Sequence, residues 1–132
     1  MTGRDAYEMA LALLNERDGK GEYFSDTGDF EKNAPRLMSL ALSRLWQDDC
    51  VVKGISPDRH SYCPERVTTL DFELPLHEAT CTLLPYLLAC LLIREEDRER
   101  SEFLRSIFLD EEYRLISTFK KACHTSVVDV YK

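Results

Sequence analysis

The chain has 132 residues, 44% of them hydrophobic and 31% charged, a size that fits one compact domain and leaves no room for a second independent core. Asp and Glu number 24 against 17 Lys and Arg, a formal net charge of -7, which argues against a grip on nucleic acid or anionic lipid through broad basic attraction. With only 5 Gly and 5 Pro, collagen-like, low-complexity and wholly disordered classes are excluded as well.

Near the start, Arg4, Asp5 and Glu8 interrupt any apolar run of the kind a signal peptide needs, so a cytoplasmic protein is expected. Thr2 and Asp5 have the spacing of a capping box, and Ala6, Met9, Ala10, Leu13 and Leu14 then recur as one apolar stripe. This predicts helix one over residues 3–17. Gly19 and Gly21 end it and open a loop that lasts through Gly28.

Phe30, Ala34, Leu37, Ala41 and Leu45 repeat three or four apart and predict helix two over 29–48. Pro35 is tolerated if it lies in the first turn, and a kink is expected if the helix begins a turn earlier. Residues 49–75 have no sustained period and contain Gly54, Pro57, Pro64 and Pro75, which predicts a long connection. Short strands at 50–53 and 67–72 are compatible with the β-branched and aromatic residues there. So long a connection points to an interface.

Helix three is predicted over 76–95. Its uncharged run from Ala79 to Ile93 must be covered on most sides, yet it falls short of the about 20 apolar residues that a membrane-crossing helix needs. Pro85 is expected to bend it, and Arg94-Glu95-Glu96-Asp97-Arg98 to return the chain to solvent. Helix four, over 97–123, places Leu104, Ile107, Phe108, Leu115, Ile116, Phe119 and Cys123 on one side, with a balanced charged face and i,i+4 ion pairs on the other. Residues 125–132 include Val127, Val128, Val130 and Tyr131, a strand-like composition. They are read as an extended tail that docks on a partner. The fold class is therefore all-α: a four-helix irregular bundle over 1–124, with a long loop between helices two and three and an extended tail over 125–132.

Catalytic and metal chemistry find little purchase. The 5 cysteines (Cys50, Cys63, Cys81, Cys90 and Cys123) are odd in number and irregularly spaced, as in a reduced compartment without structural disulfides. His60 with Cys63 is the one close pair of metal-ligand type, and a zinc site needs four ligands, so no metal or cofactor is expected. Cys81 and Cys90 read as small core hydrophobes. His60, His77 and His124 belong to no nucleophile motif, and the carboxylate runs at 95–97 and 110–112 read as wet helix faces. Tyr23, Phe24 and Trp46 read as core edge ahead of partner anchors. Acidity is concentrated at the front, where residues 1–35 hold 4 basic and 8 acidic side chains.

Taken in order, Asp29-Phe30-x-x-x-Ala34-Pro35-x-Leu37, a long loop into Leu74-Pro75-Leu76, then Leu84-Pro85-Tyr86-Leu87-Leu88-Ala89-Cys90-Leu91-Leu92 and a closing Asp129-Val130-Tyr131 resemble the small head-tail connector (adaptor) proteins of tailed bacteriophages and prophages. The Leu-Pro-Tyr-x-x-Ala-x-Leu-Leu stretch is the most distinctive piece. His77 departs from the pattern, which leads us to expect an acidic cap there. The resemblance implies a virion subunit without catalytic activity that forms a homo-oligomeric ring beneath the portal protein and meets tail-completion proteins. DNA would pass through without sequence-specific binding, and no membrane is involved. A ring needs two different complementary faces per subunit, to which helix one and the long connection are expected to contribute. The competing readings are a small cytoplasmic protein-interaction module and, behind it, an enzyme with a cysteine nucleophile or a carboxylate pair.

Overall fold

A computed structural model describes residues 1–15, 27–56 and 67–130, with 15, 27–29 and 121–130 described by their backbone alone. Its helices are α1 (Gly3–Asn15), α2 (Thr27–Lys53), α3 (Glu78–Cys81), α4 (Leu84–Ile93) and α5 (Arg98–Val130). The architecture is all-α, as expected; among the described residues the only β pairing is an isolated antiparallel bridge between Thr2 and Glu73.

The start of α1 follows from its capping box. Asp5 N–H donates to Thr2 Oγ1 at 3.1 Å, and Thr2 N–H donates to Asp5 Oδ2 at 3.0 Å. Two further first-turn amides are satisfied by the segment before α3, Gly3 donating to Phe72 O at 3.0 Å and Arg4 to Leu70 O at 2.9 Å. This seals the connection against the end of α1. Ala6, Tyr7, Ala10 and Leu14 form the buried stripe of α1, whereas Met9 is 48% exposed. The expected stripe is thus rotated: Tyr7 takes the inner position and Met9 faces outward.

α2 is longer at both ends than its apolar period indicates. Pro35 therefore lies in the helix interior, where its missing N–H leaves a gap in the ladder. Ser39 Oγ donates to Pro35 O at 3.3 Å, and in turn accepts from Val67 N at 2.8 Å, pinning the connection to α2. At the other end residues 50–53, read as a strand, are the last turn of the helix. Gly54, at φ 69°, closes it as a Schellman motif, with Ile55 N–H donating to Cys50 O at 3.1 Å and Gly54 N–H to Val51 O at 3.2 Å. Residues 67–72 likewise form no strand.

The single helix predicted over 76–95 is divided. Pro85 breaks the helix rather than bending it: α3 ends at Cys81, and α4 restarts at Leu84 with the proline in its first turn, where no amide is needed. α4 is covered by α1, α2 and α5, and Leu84, Leu88, Ala89 and Ile93 are fully buried. Covering such leucines contributes about 2 kcal/mol each, which makes α4 the centre of the core. Asp97 starts α5 by accepting from Arg100 N at 3.1 Å, and Ser101 Oγ donates to Cys90 O at 2.9 Å to close the α4–α5 hairpin.

α5 spans 33 residues, about 50 Å at 1.5 Å per residue. Its last fully buried described side chain is Phe108; beyond it Leu115, Ile116 and Phe119 are only half covered. The helix continues through Val130, so residues 125–130, expected to be extended, are helical. Extending an existing helix adds a hydrogen bond per residue, whereas the helix penalty of valine is only about 0.5 kcal/mol, so β-branched composition alone does not stop it.

Candidate functional site

Two places bring chemistry-bearing side chains together, and both lie where α5 meets α2. The first is a groove bounded by α2, α4 and α5. Leu40, Leu87, Leu91, Phe108 and Leu109 make its apolar surface, and Arg44, Arg94, Arg98 and Arg105 line it with Glu102 as the single carboxylate, around a space of about 480 Å³. Leu40 is 56% and Leu109 42% exposed. A second hollow, lined by Phe30, Arg36, Leu37 and Glu95 among others, shares Leu40, Leu91 and Arg94 with the first, so the two run on as one channel along α2.

The sequence reading expects the charged face of α5 to pair along the helix. Within α5, Arg114 pairs with Glu111 three residues before it, at 3.7 Å. Arg36, Arg94, Arg98 and Arg105 are exposed and form no ion pair with a described carboxylate. The result is a basic, leucine-floored groove on a chain whose net charge is -7. Such a surface suits an acidic, partly apolar protein segment: the arginines supply fixed charge and the leucines supply area.

The second place is a carboxyl pair at the α2–α5 seam. Arg44 clamps Glu112 with two nitrogens, Nη1 2.8 Å from Oε2 and Nη2 donating to Oε1 at 2.9 Å, while its guanidinium carbon lies 5.6 Å from the centre of the Phe108 ring. Asp48 is left the poorer partner: its Oδ2 is 3.9 Å from Arg44 and has no hydrogen-bond partner among the described residues. Burial, together with a hydrogen bond to Glu112 and repulsion from its charge, pushes the Asp48 carboxyl up to about 7, against a weaker opposing pull from Arg44. The pair therefore holds a proton near neutral pH. Neither carboxylate lines the groove.

Other candidates resolve into structural roles. His77 caps α3 itself, its Nδ1 accepting from Ala79 N at 3.1 Å, and its ring meets Phe119 edge-on at 6.2 Å. Its backbone N–H donates to Asp49 Oδ1 at 2.8 Å. Asp49 is fully buried, and its second oxygen is 3.0 Å from Lys53 Nζ. The cap at this position is thus a histidine where the resemblance leads us to expect an acidic residue. Cys50, Cys81 and Cys90 are buried free thiols, and burial raises Cys50 and Cys81 above the usual thiol range. Cys90 Sγ lies 3.3 Å from Ser101 Oγ on the groove wall, with no histidine among the groove residues. Trp46 is half-buried and lines a surface hollow with Ser43, Arg44 and Gln47.

Val127, Val128 and Val130 fall in the last turns of the α5 backbone. Tyr131, Tyr23, Phe24, His60 and Cys63 lie outside the described residues. Sequence reasoning missed the groove because its arginines come from three separate stretches, and missed Glu112 because the helix pattern assigns it to solvent. No family model, curated protein or solved structure matches the chain.

Proposed function

We propose that this chain is a non-catalytic assembly subunit, a head-tail connector of a tailed phage or prophage, that joins the portal to the tail as one member of a ring around the DNA channel. The observation that carries the assembly reading is the groove: three exposed arginines, Arg94, Arg98 and Arg105, without ion-pair partners among the described residues, over an open leucine floor, form a surface for protein and not an enclosed polar cleft for a metabolite. The Leu84-Pro85-Tyr86 stretch and the order of motifs around it direct that reading to connectors. The length of α5 beyond Phe108 is in keeping with a subunit that reaches a neighbour.

In this reading the end of α5 and the residues after it, with Val127, Val128, Val130 and Tyr131, dock on the portal. The partners are the portal and tail-completion proteins, with DNA passing freely and the finished particle as its location. The test is capture of the chain on assembled portal, with and without residues 125–132. Retention of the full chain and its loss on truncation, with the circular dichroism reduced only by the missing turns, is the expected result. Equal capture of both forms overturns the docking assignment, and no capture of either overturns the connector reading. In that last case a compact stoichiometric complex with a cytosolic protein identifies an interaction module instead.

A further inference from the structure

The arginine groove has a counterpart on the same molecule. On α1, Glu8, Met9 and Ala12 lie exposed beside Asp5, so an apolar spot is framed by carboxylates. Asp71 and Glu73 extend the acidic surface around Arg4, which is already committed to Asp71 at 2.9 Å and Glu31 at 3.8 Å. Met9 belongs to the apolar period of α1 and is nonetheless 48% exposed. Glu8 forms no ion pair with a described residue.

The two surfaces cannot meet within one subunit. α1 packs on α4 through Ala6, Ala10 and Leu14, so Glu8 and Met9 face away from the body, whereas the groove opens on the side of α4 held by α2 and α5. Each surface is complementary to the other and not to itself, in charge and in apolar content. A contact between them is therefore heterologous, the kind that closes into rings when its rotation permits.

We propose that the Glu8–Met9 face of α1 on one copy seats in the groove of a second copy, Met9 against Leu40, Leu91 and Leu109, and Glu8 with Asp5 against Arg94, Arg98 and Arg105. The biological meaning given to this contact rests on the ring reading above, and its test does not. Both surfaces are solvent-facing, so their substitution leaves the core intact.

The experiment uses two variants of the full chain: a groove variant, Arg98→Glu with Arg105→Glu, and a face variant, Glu8→Arg with Met9→Arg. Sedimentation equilibrium at low salt is expected to give self-association for the natural chain that weakens with added salt, and a loss of about tenfold or more in affinity for each variant alone. The equimolar mixture of the two variants is expected to associate again, because one partner still has its groove and the other its face, and the two reversed surfaces are themselves opposite in charge. Circular dichroism confirms that both variants are folded, and the salt dependence of the natural chain provides a reading that needs no variant. A monomeric natural chain, variants that still self-associate, or a mixture that does not pair overturns the proposal. A monomer whose groove binds an acidic peptide assigns the groove to a different protein. If the mixture pairs as described while portal capture fails, the connector reading falls and the contact stands.

Discussion

The Asp48–Glu112 seam yields the sharpest stability prediction. Replacing Asp48 by Asn keeps the shape and a hydrogen-bond donor toward Glu112 while removing the charge. A tenfold difference in proton affinity between folded and unfolded chain is worth about 1.4 kcal/mol, so the rise of Asp48 from 3.8 to about 7 sets a ceiling of ~4 kcal/mol. Asp48 keeps 14% of its side-chain surface and Arg44 is 49% exposed, and screening at so open a cation brings the expected effect to about 1 to 2 kcal/mol. The sign follows from which state holds the proton. Between 3.8 and about 7 the folded chain binds it and the unfolded chain does not, so this group's stabilisation is complete below 3.8 and is lost as pH rises through about 7. Urea unfolding of both proteins from about pH 4.5 to 8 should show the Asn variant gaining on the natural chain as pH rises, by about 1 to 2 kcal/mol in total. Parallel stability curves, or a carboxyl carbon of Asp48 that titrates near its ordinary value in NMR, would refute the reasoning.

Three further substitutions test the packing. A Cβ at Gly3 would lie 2.7 Å from Phe72 Cε1 and 2.8 Å from the Leu70 carbonyl, and since the second is backbone, Gly3→Ala should cost about 1 to 3 kcal/mol in urea unfolding. Asp49→Ala empties a fully buried position and takes the acceptor from the His77 amide, while the exposed Lys53 keeps its bond to Pro75 O, an expected loss of about 1 to 3 kcal/mol, checked by thermal unfolding at fixed pH. Leu88→Ala at the centre of α4 should cost about 2 to 5 kcal/mol, and the value should fall toward the lower bound only if the helices around it close in on the space.

Much of the fold is legible in the residues because the bundle is built from amphipathic stripes, and a 3.6-residue period is visible without knowing what lies opposite. Thr2 and Asp5 announce α1, and Cys81 and Cys90 behave as the core residues that their apolar surroundings imply. The period is silent about helix ends that carry no apolar residue inward. The extension of α2 through Lys53 was written in Gly54, whose positive φ closes the helix, but Val51 and Val52 drew the reading toward a strand. Pro85 was visible, yet whether a proline bends or breaks a helix depends on the cover available to the freed carbonyls. The groove and the seam are non-local: Arg44 and Glu112 meet only after α2 and α5 pack, and no spacing in the chain encodes that.

The proposal that this chain builds part of a particle neck is decided by electron microscopy of the full chain mixed with an assembled candidate portal: a closed ring of copies stacked on one end of the portal and coaxial with its channel is expected, and portal particles that stay bare at saturating concentrations of the chain would overturn it.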